Sequence, residues 1–116
     1  MKRTVSDRLG DAAQHAALAI EFGAGLAVVQ TPRNSAAFNA ILHCVAVIGG
    51  AVKFLPPDVR SGEPEIPWRS IAGMRDLVVH AHWQIEIHQV LRVVETDLPP
   101  LIAALDRMRA NPEHGP

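Results

Sequence analysis

The 116-residue sequence contains no tyrosine, one cysteine and few aromatic residues, which make up 4% of the chain. A single cysteine excludes an intramolecular disulfide framework and a cysteine-rich zinc site. The formal net charge of −1 argues against a protein that coats nucleic acid through bulk electrostatics. The longest apolar stretch, residues 44–52, is shorter than the roughly 20 residues of a membrane span, and the N-terminal charges are not followed by a signal-peptide pattern. We therefore expect a cytoplasmic protein.

Helical periodicity dominates the rest of the sequence. Apolar residues recur at spacings of three and four in successive segments, and hydrophobic residues make up 48% of the chain. This pattern predicts an all-α fold, an antiparallel bundle of four to five helices with a central second helix. Helix-capping residues precede three of the helices: Thr4 or Ser6, Asn34 or Ser35, and Asp97. We expect one helical domain over residues 1–110, a proline-rich loop over residues 56–67 and a flexible tail over residues 111–116.

The segment over residues 64–81 holds the most informative pair of polar residues, Arg75 and His80. Five positions on an ideal helix place two side chains about 140° apart in projection. The two converge only if the helix ends near His80 or if a second subunit supplies the complementary group. The spacing alone is equally compatible with a surface arginine and a capping histidine. A metal shared by His80 and His82, near His88, is a further alternative, although no third protein ligand is evident. We predict that His15 and His43, which lie in helical apolar surroundings, are satisfied structural histidines.

Several sequence strings around this pair resemble the HepT family of the HEPN superfamily, the small all-helical toxins of HepT/MNT toxin–antitoxin pairs. The most specific string reads Ile-Pro-Trp-Arg at residues 66–69, then Ile-Ala-Gly-Met-Arg at residues 71–75, followed by His80. Asp-Leu-Pro-Pro-Leu at residues 97–101 and Ile-Gly at residues 48–49 also fit the family. The resemblance extends from about residue 6 to residue 108, and it implies an HEPN-like helical bundle.

The resemblance implies a metal-independent RNA endonuclease that needs no cofactor. Family members dimerise and bring the Arg…His motifs of two subunits into one cleft. Arg75 is then the phosphate clamp, because a guanidinium matches phosphate oxygens with a planar set of donors. His80 is the acid/base group, because imidazole titrates near neutral pH. The implied partners are an RNA substrate, a second copy of the chain and an MNT-type nucleotidyltransferase antitoxin.

Three positions depart from the family pattern. Asp76 follows Arg75 where the family usually has asparagine, and a carboxylate there would weaken the attraction of Arg75 for phosphate. Gly50 replaces a glutamate that the family tends to have after Ile-Gly. His82 replaces the tyrosine to which the partner attaches adenylate. Since the chain has no tyrosine at all, silencing by adenylation of tyrosine is excluded.

These departures leave open which roles the accessory residues have and whether the chain is an active nuclease. His82 is a second acid/base group, a substitute target for modification or a surface residue. Trp83, like Trp68, either stacks on a base of the RNA or packs in the core or an interface. The alternative to an active nuclease is a catalytically degenerate HEPN module that acts as a binding subunit for a minimal nucleotidyltransferase. A third hypothesis is a helical dimer that has kept the fold and has an unrelated role.

Overall fold

A computed structural model of the protein describes residues 4–24, 26, 35–81 and 84–111. Within these ranges it contains no strand and six helices, one more than the predicted four to five, which confirms the predicted all-α helical fold but not the number of helices. The helices are α1 (Val5–Gly23), α2 (Ala36–Lys53), α3 (Pro57–Ser61), α4 (Trp68–His80), α5 (Ile87–Thr96) and α6 (Leu98–Ala110).

Side-chain caps fix the beginnings of α1 and α2. The Thr4 hydroxyl accepts the Asp7 N–H, and the Asp7 carboxylate accepts the Thr4 N–H in return, each at 3.0 Å. This reciprocal pair satisfies two N–H groups that a helix start leaves unpaired. The Ser35 hydroxyl accepts the Phe38 N–H at 3.1 Å. Of the predicted caps, Thr4 and Ser35 are therefore the ones used, whereas Asn34 lies outside the described residues.

Helix α2 forms the centre of the fold and packs against both α1 and α4. Its buried residues include the largest side chains of the core, and Cys44 is buried among them, as expected. Within the described ranges, α2 is also the one helix whose length and mean hydropathy of 1.6 would suit a membrane span, and 44% of it is buried in the fold. Burial on two sides explains why a core helix is apolar around most of its circumference.

Two details of the predicted organisation were wrong. The proline-rich segment over residues 56–67 contains the short helix α3, with Pro57 in its first turn. Asp97 does not cap α6 with its side chain, because its backbone is itself helical (φ −93°, ψ −33°) and continues from α5 into α6. The Asp97 N–H donates to the Val93 carbonyl at 2.8 Å, and the Asp97 carbonyl accepts the Leu101 N–H at 3.2 Å.

The segment between α3 and α4 is fixed by Trp68 and Glu63. The buried Trp68 indole N–H donates to the carbonyls of Arg60 at 3.1 Å and Glu63 at 3.0 Å. The Glu63 carboxylate accepts two hydrogen bonds from the Arg107 guanidinium of α6, at 2.6 and 3.2 Å. These contacts hold the start of α4 in place and so determine where α4 meets α2.

Candidate functional site

Helix α4 approaches α2 closely at Gly49 and Arg75. A Cβ atom at Gly49 would overlap the Cβ of Arg75 and would lie 3.0 Å from its Cγ and 3.2 Å from its Cα. Real Cβ atoms do not come this close to other carbon atoms, so position 49 requires glycine. The missing side chain lets the backbone of α4 lie directly on α2 and places the first atoms of the Arg75 side chain against that helix.

The Arg75 guanidinium belongs to a small charged network with Asp76 and Lys53. Its Nη1 donates to Asp76 Oδ1 at 3.3 Å, and Lys53 Nζ donates to the same oxygen at 3.1 Å. The hydrogen bond from Lys53, followed by that from Arg75, holds the pKa of the Asp76 carboxyl below its ordinary value. Asp76 is therefore ionised at neutral pH and partly neutralises the arginine next to it.

Arg75 also lines an open groove of about 310 Å³ between α1, α2 and α4. Two of the residues that line this groove contact each other, because the Arg8 guanidinium carbon lies 4.5 Å from the centre of the Phe54 ring. The ring of His43 contacts that of His15 edge to face, with centroids 6.0 Å apart. The groove is lined by Arg8 and Asp11 of α1, His43, Ala46, Val47, Gly50 and Ala51 of α2, Phe54, and Arg75 and Val79 of α4.

His80 occupies a different position from Arg75. It is the last residue of α4, is exposed to solvent, and does not line the groove. The helix continues without interruption from Arg75 to His80, so the two side chains keep the projected separation of about 140°. The structure of one chain therefore does not bring Arg75 and His80 together.

Comparison with known proteins assigns the fold to a family. The sequence profile of the family described as "Ribonuclease HepT-like" matches residues 13–108. The chain belongs to the HepT-like ribonuclease family. It is 31% identical over 109 residues to the protein named "Probable ribonuclease HepT" of Thermococcus cleftensis, covering 94% of this chain and 99% of that one. It is 30% identical over 100 residues to "Putative RNase MJ1216" of Methanocaldococcus jannaschii, covering 86% and 83%. No solved structure matches the chain.

Of the accessory residues predicted for this HepT-like chain, Asp76 is placed beside Arg75, whereas His82 and Trp83 lie outside the described residues. Trp68, the other candidate for base stacking, is buried and uses its indole N–H to bind backbone carbonyls. Its role in the structure is to stabilise the start of α4. Of the two roles predicted for Trp68, the structure shows packing in the core.

The remaining histidines that the structure describes lie on different helices. His88 Nε2 lies 3.0 Å from Glu86 Oε2, and both side chains are exposed. In the part of the chain that the structure describes, no three His, Cys, Asp or Glu side chains come together as they would around a metal ion. His15 is half-buried and its Nδ1 lies 2.8 Å from the Asp11 carbonyl oxygen. His15 is thus a satisfied structural histidine, as the sequence predicts.

Two residues that line the groove, His43 and Phe54, were not predicted from the sequence to be functional. His43 was expected to be a satisfied structural histidine in apolar surroundings, but it is exposed and lines the groove together with Arg75. Its spacing could have indicated this, because His43 and Gly50 are seven residues apart and residues at this spacing share one helix face. Phe54 follows the last residue of α2 and is 66% exposed, which no periodicity in the sequence predicts.

Proposed function

We propose that this chain is the toxin of a toxin–antitoxin pair and cleaves RNA internally without a metal ion. Membership of the HepT-like ribonuclease family is the observation that carries the proposal, and it supports ribonuclease activity directly. In the structure, Arg75 packs against Gly49 and lines an open groove. An exposed histidine lies about 1.4 turns further along the same helix.

In the proposed reaction, a base removes the proton of an RNA 2′-hydroxyl, and the 2′-oxygen attacks the adjacent phosphorus. The bond from phosphorus to the 5′-oxygen breaks, and an acid protonates that leaving oxygen, which gives a 2′,3′-cyclic phosphate and a 5′-hydroxyl. His80 acts as acid or base because imidazole can exchange a proton near neutral pH. Arg75 stabilises the charge that develops on the phosphate oxygens.

We propose that the site is completed by a second copy of the chain. Within one chain Arg75 lines the groove and His80 does not, whereas the chemistry requires both groups at one phosphate. A homodimer that places Arg75 of one copy beside His80 of the other meets this requirement. We further propose that the dimer acts in the cytoplasm and is neutralised by an MNT-type nucleotidyltransferase antitoxin that does not use a tyrosine, since the chain has none.

The experiment is cleavage of a long single-stranded RNA by the purified protein in the presence of a chelator. We expect Arg75→Ala and His80→Ala to lower the rate at least about a hundredfold. The matched variants Arg92→Ala and His88→Ala change an exposed arginine and an exposed histidine of α5 and should cleave normally. Cleavage that requires an added divalent metal, or that survives in both Arg75→Ala and His80→Ala, contradicts the proposal.

Mixing two inactive variants tests the shared site. In a heterodimer of Arg75→Ala and His80→Ala chains, one of the two composite sites keeps both an intact Arg75 and an intact His80. Partial recovery of cleavage on mixing is therefore expected. If the two groups act within one chain, mixing inactive variants restores nothing.

The second candidate function is a non-catalytic module that binds a minimal nucleotidyltransferase. The ion pairing of Arg75 and Lys53 with Asp76 favours it, because the arginine already has an anionic partner within the chain. On this hypothesis the purified protein leaves RNA intact, and expression of the chain alone does not slow growth. The purified protein still forms a stable complex with the nucleotidyltransferase.

A further inference from the structure

The groove between α1, α2 and α4 combines positive charge with an exposed aromatic ring. Arg8, His43 and Arg75 contribute hydrogen-bond donors, and Asp11 is the one carboxylate among the described residues that line it. The groove carries two arginines against one carboxylate, although Asp76 next to it partly neutralises Arg75. Such a local concentration of donors on an otherwise near-neutral protein indicates an anionic ligand.

Most of the α2 residues that line the groove have small side chains, so the backbone of α2 lies close to the space inside it. Ala46, Gly50 and Ala51 lie between His43 and Phe54 along the helix. A Cβ atom at Gly50 would have no neighbour within 4 Å, so the space above it is open. From His43 to Phe54 the chain advances about 16 Å at the rise of an α-helix. An extended ligand of several repeating units fits this length better than a single small molecule.

Arg8 and Phe54 form a prearranged pair at one end of this path. The contact at 4.5 Å holds the guanidinium over the ring, and such a contact engages the face of the guanidinium while its N–H groups point outward from the edge. The Phe54 ring is 66% exposed, which leaves apolar surface for a nucleobase. Cationic donors beside an exposed aromatic ring are the usual elements of a surface that binds single-stranded nucleic acid.

We infer that this groove binds the phosphodiester backbone of single-stranded RNA, with Arg8 and His43 contacting phosphates away from the one held by Arg75. This inference rests on the proposed ribonuclease function, and it adds a substrate-binding path along α2 that passes Arg75. His43 can donate from a ring N–H in either protonation state. Phe54 provides a stacking surface for a base at the far end.

The test is the binding of a fluorescein-labelled, 2′-O-methylated single-stranded RNA of twelve nucleotides, which the proposed reaction cannot cleave. Fluorescence anisotropy of the full-length protein is measured over a range of salt concentrations. We expect Arg8→Ala and His43→Ala each to weaken binding about tenfold, as the loss of one hydrogen bond to a charged phosphate predicts. Loss of Arg8 should also reduce the slope of log affinity against log salt by about 0.7. The matched controls Arg92→Ala and His88→Ala should stay within about twofold of wild type.

Melting temperatures, affinity for the nucleotidyltransferase and the KM of cleavage make the outcome decisive. The melting temperature shows whether each variant is folded, because His43 is exposed but its ring contacts that of His15. Wild-type affinity in both folded groove variants overturns the inference, as does a loss of affinity for the nucleotidyltransferase while RNA binding is unchanged. RNA binding that depends on Arg8 and His43 in a protein that cleaves nothing supports the groove and rejects the nuclease. If the groove variants cleave RNA with an unchanged KM, the proposed nuclease is supported and the RNA-binding groove is rejected.

Discussion

Gly49 of α2 lies directly against the Cα and Cβ atoms of Arg75 of α4, so closely that a side chain at position 49 would overlap them. The arginine that the family resemblance assigns to phosphate binding is thus the residue at which the two helices touch. Its backbone is held against α2, and Arg75 is one of the residues that line the groove. A fixed backbone at this position limits the region that the Arg75 side chain can reach and so favours binding of a phosphate there.

Gly49→Ala is expected to destabilise the protein, whereas Gly50→Ala is expected to stabilise it. The methyl group at position 49 must push α4 away from α2, which costs about 1–3 kcal/mol for an overpacked contact. At position 50 the methyl group enters open space, and replacing glycine by alanine within a helix gains about 0.5–1 kcal/mol. Thermal unfolding followed by circular dichroism measures the change in stability of both variants. Equal effects of the two substitutions would show that helix propensity, and not the contact with Arg75, decides the result.

Much of the fold can be predicted from the sequence because it depends on local patterns. Apolar spacing defines the long helices, and Thr4 and Ser35 are recognisable caps because a hydroxyl before a helix binds a nearby backbone N–H. The short helix α3 is too brief for any periodicity to appear. Asp97 was predicted to be a cap from its residue type, but the chain passes from α5 to α6 without leaving the helical conformation. Continuity of this kind depends on how the two helices pack.

The site was harder to predict because its contacts join residues that are distant in sequence. The resemblance assigns Arg75 and His80, but nothing local indicates that Lys53 binds Asp76 from 23 residues away. The fit of Gly49 against Arg75 depends on the crossing of two helices, and that crossing is set by packing over their whole length. For the same reason, the exposure of His43 became evident only once α1 and α4 were in place around α2.

Trp68→Phe should lower stability without affecting RNA binding. Phenylalanine keeps most of the buried ring but leaves the carbonyls of Arg60 and Glu63 without the indole N–H that they share. We expect a loss of about 1–3 kcal/mol in the free energy of unfolding, measured by urea denaturation. Anisotropy with the twelve-nucleotide RNA should be unchanged at temperatures where the variant is folded. A selective loss of RNA affinity would instead indicate that Trp68 contacts the substrate.

The contact between Glu63 and Arg107 should make stability depend on pH at the acidic end. The hydrogen bond from Arg107 holds the pKa of the Glu63 carboxyl below its ordinary value. Because the pKa of Glu63 is lower in the folded state, its contact with Arg107 stabilises the fold fully at pH values above the ordinary carboxyl pKa. This stabilisation is lost as the pH falls through the lowered folded-state pKa. Glu63→Gln should therefore reduce the melting temperature by a few degrees at pH 7 and have little effect at about pH 3. Glu95→Gln, an exposed carboxylate on α5, provides the comparison, and a pH-independent difference would contradict the assignment.

Asp76→Asn should increase RNA cleavage. The substitution restores the residue that the family usually has after the arginine, and it removes the anion that binds both Arg75 and Lys53. Because exposed charges are screened by solvent and salt, we expect a rise in kcat/KM of about threefold to tenfold. The pKa of Asp76 lies below its ordinary value, so the carboxylate stays ionised throughout the neutral range and the gain should be the same at pH 6 and pH 8. Asp106→Asn on α6 makes the same charge change away from Arg75 and should leave cleavage unaltered. A fall in activity in Asp76→Asn would show instead that the carboxylate holds Arg75 in its working position.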